Sequence, residues 1–143
     1  MAKVSSMAAV GVLAAVLLAS CGTVPPKPDD VTSKTTGDLR YSNKWRIEVS
    51  EGANSDGSFV FHVTPKDGAT QVVTIEIDDG ESENDVARTI KNSFERQLDT
   101  GDYDIEVDDG EDVLIKKDAS EPDFALQIIS STVKSVRLKV EVE

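Results

Sequence analysis

The sequence has one cysteine, Cys21, and one histidine, His62. A lone cysteine excludes an intrachain disulfide framework and any multi-cysteine metal centre. A lone histidine excludes a histidine-cluster metal site. No serine or cysteine nucleophile with a local signature accompanies it, so His62 reads as a strand histidine turned to solvent. Basic residues are scarce: 15 Lys and Arg stand against 27 Asp and Glu, for a formal charge of −12. No basic footprint is left to neutralise phosphates, which argues against nucleic acid as a partner and against adsorption on anionic headgroups. Aromatic residues are few. Trp45, Tyr41 and Tyr103 are the candidates for a sugar platform, but Trp45 lies in strand phase with Ile47, which favours the core. A phosphate loop, a dinucleotide fingerprint, a CxxC pair and a nucleophile elbow are all missing. The apolar run from Met7 to Ala19 is too short to cross a hydrocarbon core about 30 Å thick.

That run has the length of a signal-peptide hydrophobic region, with Lys3 ahead of it. It ends in Leu18-Ala19-Ser20-Cys21, which resembles the lipobox of bacterial lipoproteins: a leucine, two small residues and a cysteine. The resemblance implies that residues 1–20 are a lipoprotein signal peptide, cleaved between Ser20 and Cys21. It also implies a covalent diacylglycerol and acyl lipid on Cys21, with no other cofactor. At about 0.8 kcal/mol per buried methylene, one acyl chain binds a membrane marginally, whereas two or three hold it. The partner implied here is therefore the membrane, through the lipid anchor. Gly22 follows the cysteine where an aspartate would signal inner-membrane retention in enterobacterial sorting. The resemblance thus implies the bacterial outer membrane, on its periplasmic face. Cleavage would remove one basic and no acidic side chain, taking the formal charge from −12 to −13.

Residues 21–38 read as the acylated cysteine and a Pro/Thr-rich tether. Pro25, Pro26 and Pro28 stiffen it, and polar residues follow with no apolar periodicity. An extended chain of that length spans up to about 40–50 Å.

Residues 39–143 read as a single α+β domain. Trp45, Ile47 and Val49 alternate with Lys44, Arg46 and Glu48; Phe59, Phe61 and Val63 alternate with Val60 and His62; Val73, Ile75 and Ile77 alternate with Thr74 and Glu76. A period of two places each apolar set on one face of a strand. The segments between are rich in Gly, Asn and Asp, as turns require. At Ser82 the period changes. Ser82 and Asp85 form a capping box, and Val86, Ile90, Phe94 and Leu98 follow at four-residue steps, predicting one amphipathic helix over about 82–98. Strands resume with Tyr103, Ile105 and Val107, then Val113 and Ile115 with Leu114 facing the other way. The run from Pro122 puts Phe124, Leu126 and Ile128 inward, and the last strand does the same with Val136, Leu138, Val140 and Val142. The fold expected is a mainly antiparallel sheet of about seven strands with the helix packed on it. Seven strands also permit two sheets.

Two acidic segments are near-duplicates: Asp78-Asp79-Gly80-Glu81 and Asp108-Asp109-Gly110-Glu111. Hard cations take carboxylate oxygens from tight loops, so Asp78, Asp79, Glu81, Asp108, Asp109 and Glu111 are the candidate cation ligands. The calcium-loop pattern requires acidic or amide residues at alternating positions before the glycine. Ile77 and Val107 stand at such positions, so plain turns are the favoured reading and no metal site is assigned. No catalytic residue is assigned either.

The stretch from Val72 to Ile115 resembles the small ββαββ modules of tailed-phage virion proteins. It shares Asp85-Val86-Ala87, Ile90, Tyr103 to Val107, Asp109-Gly110 and Val113 to Ile115. That resemblance covers about a third of the chain and implies an assembly module with no catalytic residues. The reading favoured by the whole sequence is a lipid-anchored, non-enzymatic interaction module of the bacterial envelope. Its protein partner would be basic, and an immunity or exclusion lipoprotein is one form of it. The alternative is a carboxylate-dependent hydrolase or cation-binding envelope protein.

Overall fold

A computed structural model describes residues 39–143. The signal peptide, Ser20, Cys21 and the tether lie outside the described residues. Seven strands and one helix follow in the order β1 (Lys44–Ser50), β2 (Gly57–Pro65), β3 (Gln71–Ile77), α1 (Glu83–Gln97), β4 (Tyr103–Asp108), β5 (Asp112–Lys117), β6 (Phe124–Ser131) and β7 (Arg137–Val142). The α+β class holds, and every strand pairing is antiparallel. The strands divide into two sheets, ordered β4-β5-β1-β7 and β3-β2-β6.

The division follows from where the apolar faces point. Trp45, Ile47 and Val49 of β1 and Phe59, Phe61 and Val63 of β2 are all buried. Two such faces cannot share one solvated sheet with a single helix covering it. They bury each other instead, and α1 lies against β3 of one sheet and β4, β5 and β1 of the other. Its Val86, Ala87, Ile90 and Phe94 are fully buried. Phe94 meets Phe61 with ring centroids 5.4 Å apart. Each large core side chain of this kind contributes about 1.5–3 kcal/mol on burial.

The helix starts where the capping box places it. The Ser82 hydroxyl accepts the Asp85 N–H at 3.3 Å and donates to Asp85 Oδ2 at 2.7 Å. That satisfies one of the unpaired donors of the first turn. At the far end the Leu98 N–H donates to the Phe94 carbonyl at 2.8 Å, and Leu98 itself leaves the helical conformation.

Two expectations are corrected. The strand expected from Pro122 begins at Phe124, and Ile128, expected inward, is 37% exposed. The register of β2 against β6 shifts between Val60 and Phe61, leaving Ile129 as an extra residue opposite them. A bulge of this kind bends its strand. Phe124, Ala125 and Leu126 sit in the core, and everything from Gln127 to Ser131 is exposed. Leu114 does face away from the core, as expected, yet it is buried. It stands between Glu106 and Arg46 in the register, and the aliphatic stems of such side chains can cover an apolar neighbour.

Candidate interaction surface at the acidic end

The two acidic turns are thirty residues apart in sequence and close one end of the fold together. Both depend on glycine in the left-handed region, Gly80 at φ 87° and Gly110 at φ 88°. The loop between β1 and β2 binds the first turn. The Ala53 N–H donates to the Glu81 carbonyl at 2.8 Å, and the Gly80 N–H donates to the Ala53 carbonyl at 3.0 Å. The Asp79 N–H donates to Asp56 Oδ1 at 2.8 Å. The first turn of α1 then touches the second acidic turn, where a Cβ on Gly110 would come within 3.3 Å of Asn84 Oδ1. Topology thus adds Asp56, Glu83 and Asp85 to the six carboxylates singled out by sequence.

These carboxylates, together with Asp112 at the start of β5, fall into two groups. Asp108 and Asp112 face Arg46, whose guanidinium lies 3.8 Å and 2.7 Å from them and 2.6 Å from Glu143. Burial alone would lower the Arg46 pKa, but Glu143 and Asp112 hold it above its ordinary value. The Arg46 Nε is buried with no hydrogen-bond partner. The Ser82 hydroxyl, with help from Arg88, holds Asp85 below the ordinary carboxylate range. By contrast Asp56, Asp78, Asp79, Glu81, Glu83, Asp109 and Glu111 make no ion pair among the described residues. Some accept internal hydrogen bonds: Glu81 Oε1 from the Asp78 N–H at 3.3 Å, and Oε2 from the Thr89 hydroxyl at 3.0 Å. Among the described residues no three acidic or histidine side chains converge closely enough to hold a metal ion.

The other sequence candidates are scattered. His62 lies on the face of β2 away from the core, half-buried, between Val72 of β3 and Gln127 of β6. Trp45 and Tyr103 are buried in the core, and Tyr41 is half-buried ahead of β1. The Trp45 indole donates to the Phe124 carbonyl at 2.8 Å, and the Tyr103 and Phe124 rings meet edge to face at 5.1 Å. The chain joins the body at Leu39–Ser42, where Ser42 pairs with Phe124. That is the start of β6, at the end opposite the acidic turns.

Sequence reasoning found both turns but not their meeting. The repeated Asp-Asp-Gly-Glu was the available signal; which end each turn occupies depends on the strand order. No known family model matches the chain, and no curated protein matches it in sequence.

Proposed function

We propose that this protein is a lipid-anchored interaction module of the bacterial envelope, held at the periplasmic face of the outer membrane through Cys21. It binds a basic protein partner with its acidic end. One observation carries the reading: two acidic turns from distant parts of the chain meet at one end, together with several carboxylates that make no ion pair among the described residues. Such a concentration of one sign speeds the encounter with an oppositely charged surface and orients it. The described chain enters the body at the other end, where Ser42 pairs with Phe124. An immunity or exclusion lipoprotein that neutralises a basic enzyme or toxin at the membrane is a concrete form of this function.

The test is capture from envelope extract with residues 22–143, tagged in place of the lipid, at low and moderate salt. A parallel capture uses the variant Asp79→Asn, Asp109→Asn, Glu111→Gln. The reading expects one stoichiometric basic partner that is lost with salt and lost in the variant. A partner retained equally by the variant sinks it, as does a blank at both salts. A rise of many degrees in Tm at millimolar Ca²⁺ would instead move the acidic end to the cation-binding reading.

A further inference from the structure

An edge strand turns the N–H and C=O of every second residue away from its sheet. In β4 the alternation follows from one hydrogen bond. The Lys117 N–H donates to the Asn43 carbonyl at 3.0 Å, so Lys117, Ile115 and Val113 turn their backbone groups to β1. Lys116, Leu114 and Asp112 then turn theirs to β4, where they meet Asp104, Glu106 and Asp108. The backbone groups of Tyr103, Ile105 and Val107 therefore point off the edge of the sheet. The Tyr103 N–H donates to the Asp99 carbonyl at 3.3 Å. Those of Ile105 and Val107 have no partner outside the sheet among the described residues. On the other side of the helix the β3 edge is occupied: Gln97 of α1 accepts the Thr74 N–H at 3.0 Å and donates to the Thr74 carbonyl at 2.7 Å.

Beside the open β4 edge lies a groove of about 400 Å³, lined by Glu95 of α1, Thr100, Gly101, Asp104, Ile105 and Asp118. Side chains alternate along the strand. Ile105 is buried, whereas Asp104 and Glu106 are exposed on the outer face. Glu95 pairs with Lys91 at 2.6 Å. Asp104, Glu106 and Asp118 make no ion pair among the described residues, and Lys116, opposite Asp104 in the register, makes none either. The edge thus combines unfilled backbone groups, a groove beside them and a row of acids of one sign.

We propose that the free edge of β4 takes an extended, basic segment of a partner protein as an added strand. Main-chain hydrogen bonds hold such a segment, and its alternate side chains set the specificity. In the antiparallel sense shared by every strand pair of the body, one residue of the segment exchanges both hydrogen bonds with Ile105. Its two neighbours fall opposite Asp104 and Glu106 on the exposed face, where opposite charges attract across strands. The residue bonded to Ile105 points the other way, towards α1. The sequence recognised is therefore Lys or Arg, an uncharged residue, then Lys or Arg. The same acids deter β4 from pairing with β4 of a second copy. The inference deepens the proposal of a basic partner and rests on it for the partner's charge. β4 ends at the second acidic turn, so one partner can reach both.

The probe is the blocked peptide acetyl-Lys-Val-Lys-Val-Lys-amide, added at millimolar concentration and low salt to isotope-labelled residues 22–143 and followed by NMR. Shifts are expected in β4 and the groove, with amide exchange slowed at Ile105 and Val107. The same peptide methylated on both valine nitrogens keeps its charge and loses its donors, and is expected to bind about tenfold more weakly. The double variant Asp104→Asn, Glu106→Gln, folded by circular dichroism, is also expected to bind about tenfold more weakly. The variant neutralised at Asp79, Asp109 and Glu111 is expected to bind the peptide as the parent does. A peptide that leaves β4 unshifted overturns the proposal. So does a methylated peptide that binds equally well, or shifts centred on β6. A partner captured from extract while the peptide fails overturns the groove and leaves the acidic end standing. A peptide bound at β4 while no partner is captured supports the groove and sinks the other reading.

Discussion

The Trp45 indole N–H donates to the Phe124 main-chain carbonyl across 79 positions of sequence, from the central region of one sheet to the edge strand of the other. The same carbonyl accepts the Ser42 N–H at 3.0 Å. One buried oxygen therefore joins the beginning of the body, β1 and β6. Trp45→Phe keeps most of the apolar volume and removes the donor. The expected cost is about 1–2 kcal/mol, as for a buried acceptor that loses one of two partners, read as a lower urea midpoint by circular dichroism.

Phe94 holds the two sheets to the helix. It is fully buried and packs on Phe61. Phe94→Ala is expected to cost about 3–5 kcal/mol, a large share of a small domain's stability. Thermal unfolding should show both sheets lost in one transition at a lower Tm.

Gly52 and Gly57 mark two places where backbones nearly touch. A Cβ on Gly52 would lie 2.6 Å from the Glu81 carbonyl oxygen, and one on Gly57 would lie 2.8 Å from the Val133 nitrogen. Neither neighbour is a side chain that can swing aside. Gly52→Ala is expected to push the β1–β2 loop off the first acidic turn, with amide exchange rising at Ala53 and Gly80 and remaining unchanged in β4 and β5.

The stability of the body should fall in acid. Hydrogen bonding from Ser82 depresses Asp85, hydrogen bonds from the Ser120 backbone and side chain depress Asp118, and Lys44 with Arg46 depresses Glu143. A carboxylate held below its unfolded value contributes stability that is present above the ordinary carboxylate range. It is lost as pH falls through the depressed one. Ser82→Ala removes the cap at about 1 kcal/mol and should return the Asp85 titration, followed by NMR, towards its ordinary midpoint.

Asp109 has φ 50° and makes no ion pair among the described residues. Asparagine tolerates that backbone conformation and carries no charge. Asp109→Asn is expected to raise Tm slightly at low salt, with the gain shrinking as salt screens the remaining acids. Loss of Tm at low salt would show that the carboxylate is structurally required.

Much of this architecture was legible in sequence because burial imposes period. Trp45, Ile47 and Val49 announced β1, and Val86, Ile90 and Phe94 announced the helix, since each face had one environment. What sequence withheld was pairing. Nothing local to Ile75 or Ile105 says that β3 and β4, joined by one helix, enter different sheets. Ile128 was misplaced because a bulge arises from two strands and has no signature in either. The acidic end was half visible: the repeated turns could be read, but Asn84 against Gly110 is a contact made only by the fold.

The four-stranded sheet sets Trp45 opposite Val142, so a strand from the start of the body lies between β5 and β7, both from its second half. Such pairing closes very long loops, and folds dominated by it form slowly. While the chain is being made, β1 has no neighbour on either side until more than half of the body has followed it. The body therefore cannot complete its core early. β2 and β3 can close as a hairpin as soon as both are made, but the sheet that faces them stays incomplete until β5 and β7 arrive on either side of β1.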